Sequence, residues 1–152
     1  MRLLQTEQRI LFISMLTIAS CHILCPAPWK ESSTSGTCIQ VFANSKTWDA
    51  ARAACKLLGA DLVKIRDRQM NELVYEKIKE TSARYFWIGL CARNGKFYWL
   101  DDTNEATFSL FTSAQPAVYN QHKTCAEMRI GRSSWYVYDK DFTQGYICEK
   151  LA

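Results

Sequence analysis

Few residues in this chain could carry out chemistry, and their spacing limits what chemistry that is. There are two histidines, His22 and His122. His122 lies between Gln121 and Lys123 on a polar stretch, where a lone imidazole reads as a solvated side chain rather than a general base. Asp101 and Asp102 are neighbours, so they could not flank a sugar from two sides as glycosidase carboxyls must. The sequence contains no Gly-x-Ser-x-Gly, no His-Glu-x-x-His and no phosphate loop, so no catalytic set is expected. Seven cysteines occur, at 21, 25, 38, 55, 91, 125 and 148, with no Cys-x-x-Cys; structural zinc is therefore not the reading. One further stretch, Ser113 to Cys125, reads SAQPAVYNQHKTC. Its Gln115-Pro116-Ala117 could belong to a metal site, to the remnant of one, or to an ordinary loop.

These residues need elements to hold them. Trp48, Ala51, Ala54/Cys55 and Leu58 recur at steps of three and four, which predicts one face of a helix. Asn44, Ser45 or Thr47 could cap its start, and Gly59 could end it. Leu62, Val63 and Ile65 form a short buried run. Asp67 could cap a second helix whose inner face is Met70, Leu73, Val74, Tyr75 and Ile78. From residue 84 the pattern changes. RYFWIGLCAR and FYWL read as strands around an Asn94-Gly95 hairpin turn. Residues 101–124 show no period; a segment that long is often functional. TCAEMRI, WYVYD and GYICEK follow as three strand-like runs. Helices first and strands afterwards argue an α+β fold.

Composition and the first residues set the context. The chain has 152 residues and a formal net charge of +4, with cations and acids interspersed, so neither nucleic acid nor a membrane surface is an expected partner. Arg2 and Arg9 precede an apolar run, Ile10 to Ala19, and then small residues. This is the layout of a secretory signal peptide, read as residues 1–21; an uncleaved signal anchor is the alternative. The domain would then span 25–150, be secreted, and have no membrane span after cleavage. In an oxidising compartment six cysteines read as disulfides, with fifteen pairings possible.

The order of these features resembles the C-type lectin-like domain. The matching stretches are Trp48-x-x-Ala51-x-x-x-Cys55, Trp87-Ile88-Gly89-Leu90, Phe97-x-Trp99-x-Asp101, Cys125-Ala126-Glu127, Trp135, and Tyr146-Ile147-Cys148-Glu149. Asp102 stands where the family usually has Gly. The resemblance implies two helices with two small antiparallel sheets and a long loop, stapled by disulfides. It places Trp48, Trp87, Trp99, Trp135 and Phe111 in the core. It implies a Cys55–Cys148 bridge, and a Cys25–Cys38 pair as in the family's long form. Cys125 should pair with a cysteine near 140, but Lys140 stands there, while Cys91 is an extra one. The simplest hypothesis is a Cys91–Cys125 bridge. Two buried thiols, or an exposed thiol bridging between molecules, are the alternatives.

The resemblance also says what the long loop would need. Sugar-binding members hold calcium through a Glu-Pro-Asn or Gln-Pro-Asp triplet, a carboxylate before the next cysteine, and an Asn-Asp pair after the strand tryptophan. Calcium wants six to eight oxygens, several of them charged. Here Gln115 and Pro116 persist, but Ala117 offers no oxygen, Lys123 stands near the expected Glu, and Tyr136-Val137 replaces Asn-Asp. The expectation is a degenerate long-loop site of Gln115, Pro116, Tyr119, Asn120, Lys123 and Tyr136, with no metal and no cofactor. Asp101, Asp102, Glu105, Asp139 and Asp141 read as solvated carboxylates, though an atypical calcium site among them is an alternative. The expected function is recognition of a protein without calcium, with Tyr119 beside polar and cationic neighbours as the contact. The other reading is calcium-independent binding of a glycan or microbial surface through Lys123, Arg129, Arg132 and Lys140.

Overall fold

Two side-chain caps set where the helices begin. In the computed structural model, which describes residues 25–32, 36–100, 102–111 and 124–152, the Thr47 hydroxyl accepts the Ala50 N–H at 3.3 Å. That opens helix α1, Trp48–Leu57. Asp67 Oδ1 accepts the Met70 N–H at 2.8 Å and opens α2, Arg68–Lys79. Each cap satisfies a donor that the helix itself cannot. α1 buries Trp48, Ala51 and Cys55. Leu58, expected on that face, is instead the C-cap and is exposed: the helix ends one residue too early for it to turn inward. α2 buries Met70, Val74 and Ile78, and also Asn71, which an apolar periodicity cannot flag.

The strands are β1 (Lys30–Ser32), β2 (Thr37–Lys46), β3 (Asp61–Leu62), β4 (Tyr85–Arg93), β5 (Lys96–Trp99), β6 (Thr124–Arg129), β7 (Arg132–Asp139) and β8 (Gln144–Leu151). Their main path runs β1-β2-β8-β4-β6-β7, with β3 on β8 and β5 on β4. The class is α+β, as expected. Where two small antiparallel sheets were expected, the parallel pairing of β4 with β8 joins the strands into one mixed sheet. Asn94 and Gly95 both take positive φ, 50° and 78°, as the hairpin turn requires.

Alternation along the strands sorts the core onto two faces. Phe86, Ile88, Leu90, Ala126, Met128, Trp135, Val137 and Ile147 pack with α2. Trp87, Cys125, Tyr146 and Cys148 pack with α1. Trp48 bolts α1 to β4 through its Nε1, which donates to the Ile88 carbonyl at 2.9 Å. On the other face the Asn71 amide donates to the Ser133 carbonyl at 2.8 Å, and its Oδ1 accepts Trp135 Nε1 at 2.7 Å. Gly89 has a packing reason: a Cβ there would sit 2.9 Å from Leu100 Cδ2 and 3.0 Å from the Leu62 carbonyl. Disulfides join Cys25 to Cys38, Cys55 to Cys148, and Cys91 to Cys125. The last links directly opposed residues of β4 and β6, with Cα atoms 4.0 Å apart.

Candidate functional site

Of the long-loop site, Gln115, Pro116, Tyr119, Asn120 and Lys123 lie outside the described residues, as does the 1–21 segment. The described lead-in to that loop is fastened to the core. The Trp135 N–H donates to the Leu110 carbonyl at 2.8 Å. Phe108 and Phe111 each meet the Trp135 ring edge-on at 5.8 Å, and Phe97 packs on Phe111 at 4.6 Å. All are ordinary separations for aromatic pairs.

Tyr136 and Val137, expected from the resemblance at the Asn-Asp positions, make other contacts. Val137 is buried in the α2-side core. Tyr136 turns to the opposite face, where its ring lies 4.0 Å from the Arg129 guanidinium carbon. The described loop carboxylates are engaged separately. Asp102 pairs with Lys64, Glu105 with Lys96 at 2.9 Å, and Asp139 accepts the Asp141 N–H at 3.0 Å. Among the described residues no group of three or more His, Cys, Asp or Glu could hold a metal ion. Lys140 pairs with Asp49 of α1 at 2.7 Å.

The face that Tyr136 joins carries a second arrangement. Glu127 and Arg129 alternate along β6, and Glu127 lies opposite both Trp87 of β4 and Tyr136 of β7. Arg129 donates through Nε to Glu127 Oε1, whose side chain is 1 % exposed. The guanidinium is held between the Tyr136 and Tyr85 rings, the latter at 5.3 Å. Beside it opens a cleft of about 390 Å³, lined by Tyr85, Glu127, Arg129, Tyr138, Phe142 and Gln144 among others. From sequence, Tyr136 was expected at the long-loop site, and Tyr85 and Phe142 carried no assignment. The signal that could have separated them is the alternation Glu127, Arg129 in an otherwise apolar strand.

Burial pushes the Glu127 carboxyl above the ordinary glutamate value of 4.5, against the pull of the Arg129 hydrogen bond and charge and of the Gln144 amide. A carboxyl raised by folding holds its proton more tightly in the folded state. Its contribution to stability is full below the ordinary value and is lost as pH rises through the raised one. Asp61 has the opposite sign. Burial alone would raise it, but hydrogen bonds from Arg52, Lys56 and the Leu62 N–H, with the Arg52 charge, hold it below its ordinary range. Its contribution is present above that range and is lost as pH falls through the lowered value. Glu127→Gln should therefore gain stability relative to the native chain as pH rises from about 4 to 7. Unfolding free energies across that range measure it; parallel pH profiles would contradict the burial argument.

The helices on either face of one mixed sheet, the helix-to-last-strand disulfide and the long segment after β5 define a C-type lectin-like domain. Residues 44–150 match the Lectin C-type domain family, and the chain belongs to it. It is similar to human lymphocyte antigen 75, 30 % identical over 130 residues that cover 83 % of this chain and 7 % of that protein. It is also similar to asialoglycoprotein receptor 2 of Mus musculus, 28 % identical over 132 residues, with 83 % and 42 % covered. The chain thus spans a small part of the receptors it matches, 9 % of the murine secretory phospholipase A2 receptor. Human lithostathine shares the fold at a TM-score of 0.76 and 18 % identity, covering 99 % of this chain and 100 % of that one. A calcium-independent type II antifreeze protein superposes at 0.69 with 26 % identity, covering 85 % and 95 %. Among the described residues no helix is long and apolar enough to cross a membrane.

Proposed function

We propose that this chain is an extracellular recognition module that binds its ligand without calcium, and that the ligand is a protein. The observation that carries the first half is the pair Tyr136 and Val137. Neither supplies a carboxylate or amide oxygen, and both are used up, one on Arg129 and one in the core. A cation that needs six or more oxygens would have lost this side of its cage. The second half rests on residue chemistry: Tyr119 beside Asn120, Gln121, His122 and Lys123, the kind of amphipathic and cationic group that anchors protein interfaces. Extracellular residence is supported by the apolar leader and by three disulfides.

Calcium linkage gives a sharp test. A site of micromolar affinity in a thousandfold excess of calcium would add about 4.1 kcal/mol, which moves Tm by about ten degrees in a domain of this size. The expected shift between millimolar calcium and chelator is under about 1 °C; a shift of several degrees refutes calcium independence. For the ligand class, the domain's cell-surface binding should survive chelator, fall after protease treatment of the cells, and weaken with Tyr119→Ala. Loss after glycosidase treatment alone would point to a glycan instead.

A further inference from the structure

Helix α1 covers part of its face of the sheet. Under it lie Trp87, Cys125, Tyr146 and Cys148. Farther along, the same face presents Tyr85, Arg129, Tyr136 and Tyr138. Tyr85, Tyr138 and Phe142 are 47 %, 40 % and 55 % exposed, and the last two rings meet edge to face at 4.9 Å. Exposed rings gathered in one place mark a contact surface rather than a core. The relief around them is a continuous groove. Three hollows of about 390, 340 and 380 Å³ all have Tyr85 in their walls. One runs to Phe142, the second to Arg132 and Tyr136, the third to Ser45 and Gly145. Together they cross β2, β8, β4, β6 and β7. Four strand spacings of about 4.8 Å make about 19 Å, the reach of about six extended residues. A chain fills such a groove; a compact small molecule does not.

Charge decides the kind of chain. Tyr85 lies opposite Arg129, and Arg129 opposite Arg132, so a ring and two guanidiniums stand in a row across three strands. Arg84 adjoins Tyr85 and is exposed, as is Arg132. Glu127 is the one acid among the described lining residues, and Arg129 already engages it. Arg84 and Arg132 form no ion pair among the described residues. A basic chain entering here meets three like charges, whereas the carboxylates of an acidic one are attracted and can be held bidentately. Exposed rings interleaved with guanidiniums have the composition of protein-binding hot spots. A polyanion that reads charge alone has no use for Phe142.

We infer that this groove docks an extended acidic segment of a partner protein, about six residues long, with apolar side chains between its carboxylates. The apolar side chains pack on Tyr85, Tyr138 and Phe142, and the carboxylates meet Arg84, Arg132 and the open edge of Arg129. The inference uses no residue of the long loop, so it and the Tyr119 reading fail separately.

Amide NMR titration of the folded chain tests it. The probes are end-blocked hexapeptides, one alternating glutamate and leucine, one alternating lysine and leucine, and hexaglutamate, together with a heparin hexasaccharide. The glutamate–leucine peptide should shift the Tyr85, Thr143 and Gln144 amides. It should bind at least about tenfold more tightly than the lysine–leucine peptide, on the scale of one charge-assisted contact. It should exceed hexaglutamate by at least about threefold, because its leucines bury apolar surface. Phe142→Ala should weaken the glutamate–leucine peptide about fivefold and leave hexaglutamate unchanged. Arg84→Gln and Arg132→Gln should each weaken both acidic peptides about threefold. All three side chains are exposed, so Tm should not move. No shift in the groove, indifference to the variants, or equal binding of the three peptides would overturn the proposal. Heparin hexasaccharide bound as tightly as the glutamate–leucine peptide would overturn it too, since the groove would then read charge alone.

Discussion

Trp87→Ala should cost about 3–5 kcal/mol, the range for truncating a fully buried aromatic. Trp87 has no exposed surface. It lies across from Glu127 of β6 and Tyr146 of β8, so its ring occupies the place where three strands meet. Its neighbours in that core include Trp48 and Cys55 of α1. Truncation opens a cavity that α1 cannot close without leaving its bond to the Ile88 carbonyl. It also strands a polar group, because Trp87 Nε1 donates to the Lys46 carbonyl at 3.0 Å. Trp87→Phe separates the two effects. It refills much of the volume but leaves that carbonyl without its partner, for a loss of about 1–3 kcal/mol. Urea unfolding of both variants gives the two values. A cost below about 1 kcal/mol for the alanine variant would mean that the core collapses around the gap, contrary to close packing at this junction.

Removing the Cys55–Cys148 bridge should be as damaging, and more so than removing either of the others. The bridge spans 93 residues of sequence, against 34 for Cys91–Cys125 and 13 for Cys25–Cys38. Loop-closure entropy alone gives about 4.7, 3.8 and 2.9 kcal/mol in that order. Packing sharpens the ranking. Cys55 and Cys148 are both fully buried and join α1 to β8, so alanines there also leave a void. Cys91 and Cys125 lie on strands that also pair from Tyr85↔Arg129 to Trp87↔Glu127, on the far side of a register shift, and their loss leaves those pairs in place. Double alanine variants of each pair, compared by thermal unfolding, should rank in this order. A Cys91/Cys125 variant less stable than the Cys55/Cys148 variant would show that the β4–β6 pairing depends on its staple.

Much of this was legible because it is local or periodic. Thr47 and Asp67 were candidate caps, since a short oxygen-bearing side chain before an apolar period can satisfy the first free N–H groups wherever the helix later docks. Asn94-Gly95 announced its turn because few residue pairs tolerate two positive φ values in succession. Gly89 stood in a motif whose glycine is explained by the Leu62 carbonyl and the Leu100 side chain pressing on it, contacts that lie outside its own strand.

What depends on partners distant in sequence was decided only by the tertiary structure. Alternation along WYVYD says that Trp135 and Val137 share one face and Tyr136 and Tyr138 the other. It does not say which face the long segment covers, and the fold gives the first pair to the α2-side core and the second to the opposite face, Tyr136 against Arg129 and Tyr138 at the cleft. The joining of the strands into one sheet rests on the parallel β4–β8 pair, for which no short-range signal exists. Asn71 carries no local signal of burial, and Trp135 and Ser133 are brought against it only by the fold. The sequence by itself therefore determined the α+β class and narrowed the helix starts to a few candidate caps, both of which follow from residue type at fixed spacing. Which polar groups become buried, and which aromatics gather around Glu127 and Gln144, followed only from how β6, β7 and β8 stack side by side. Burial is a property of the assembled sheet and not of any one strand.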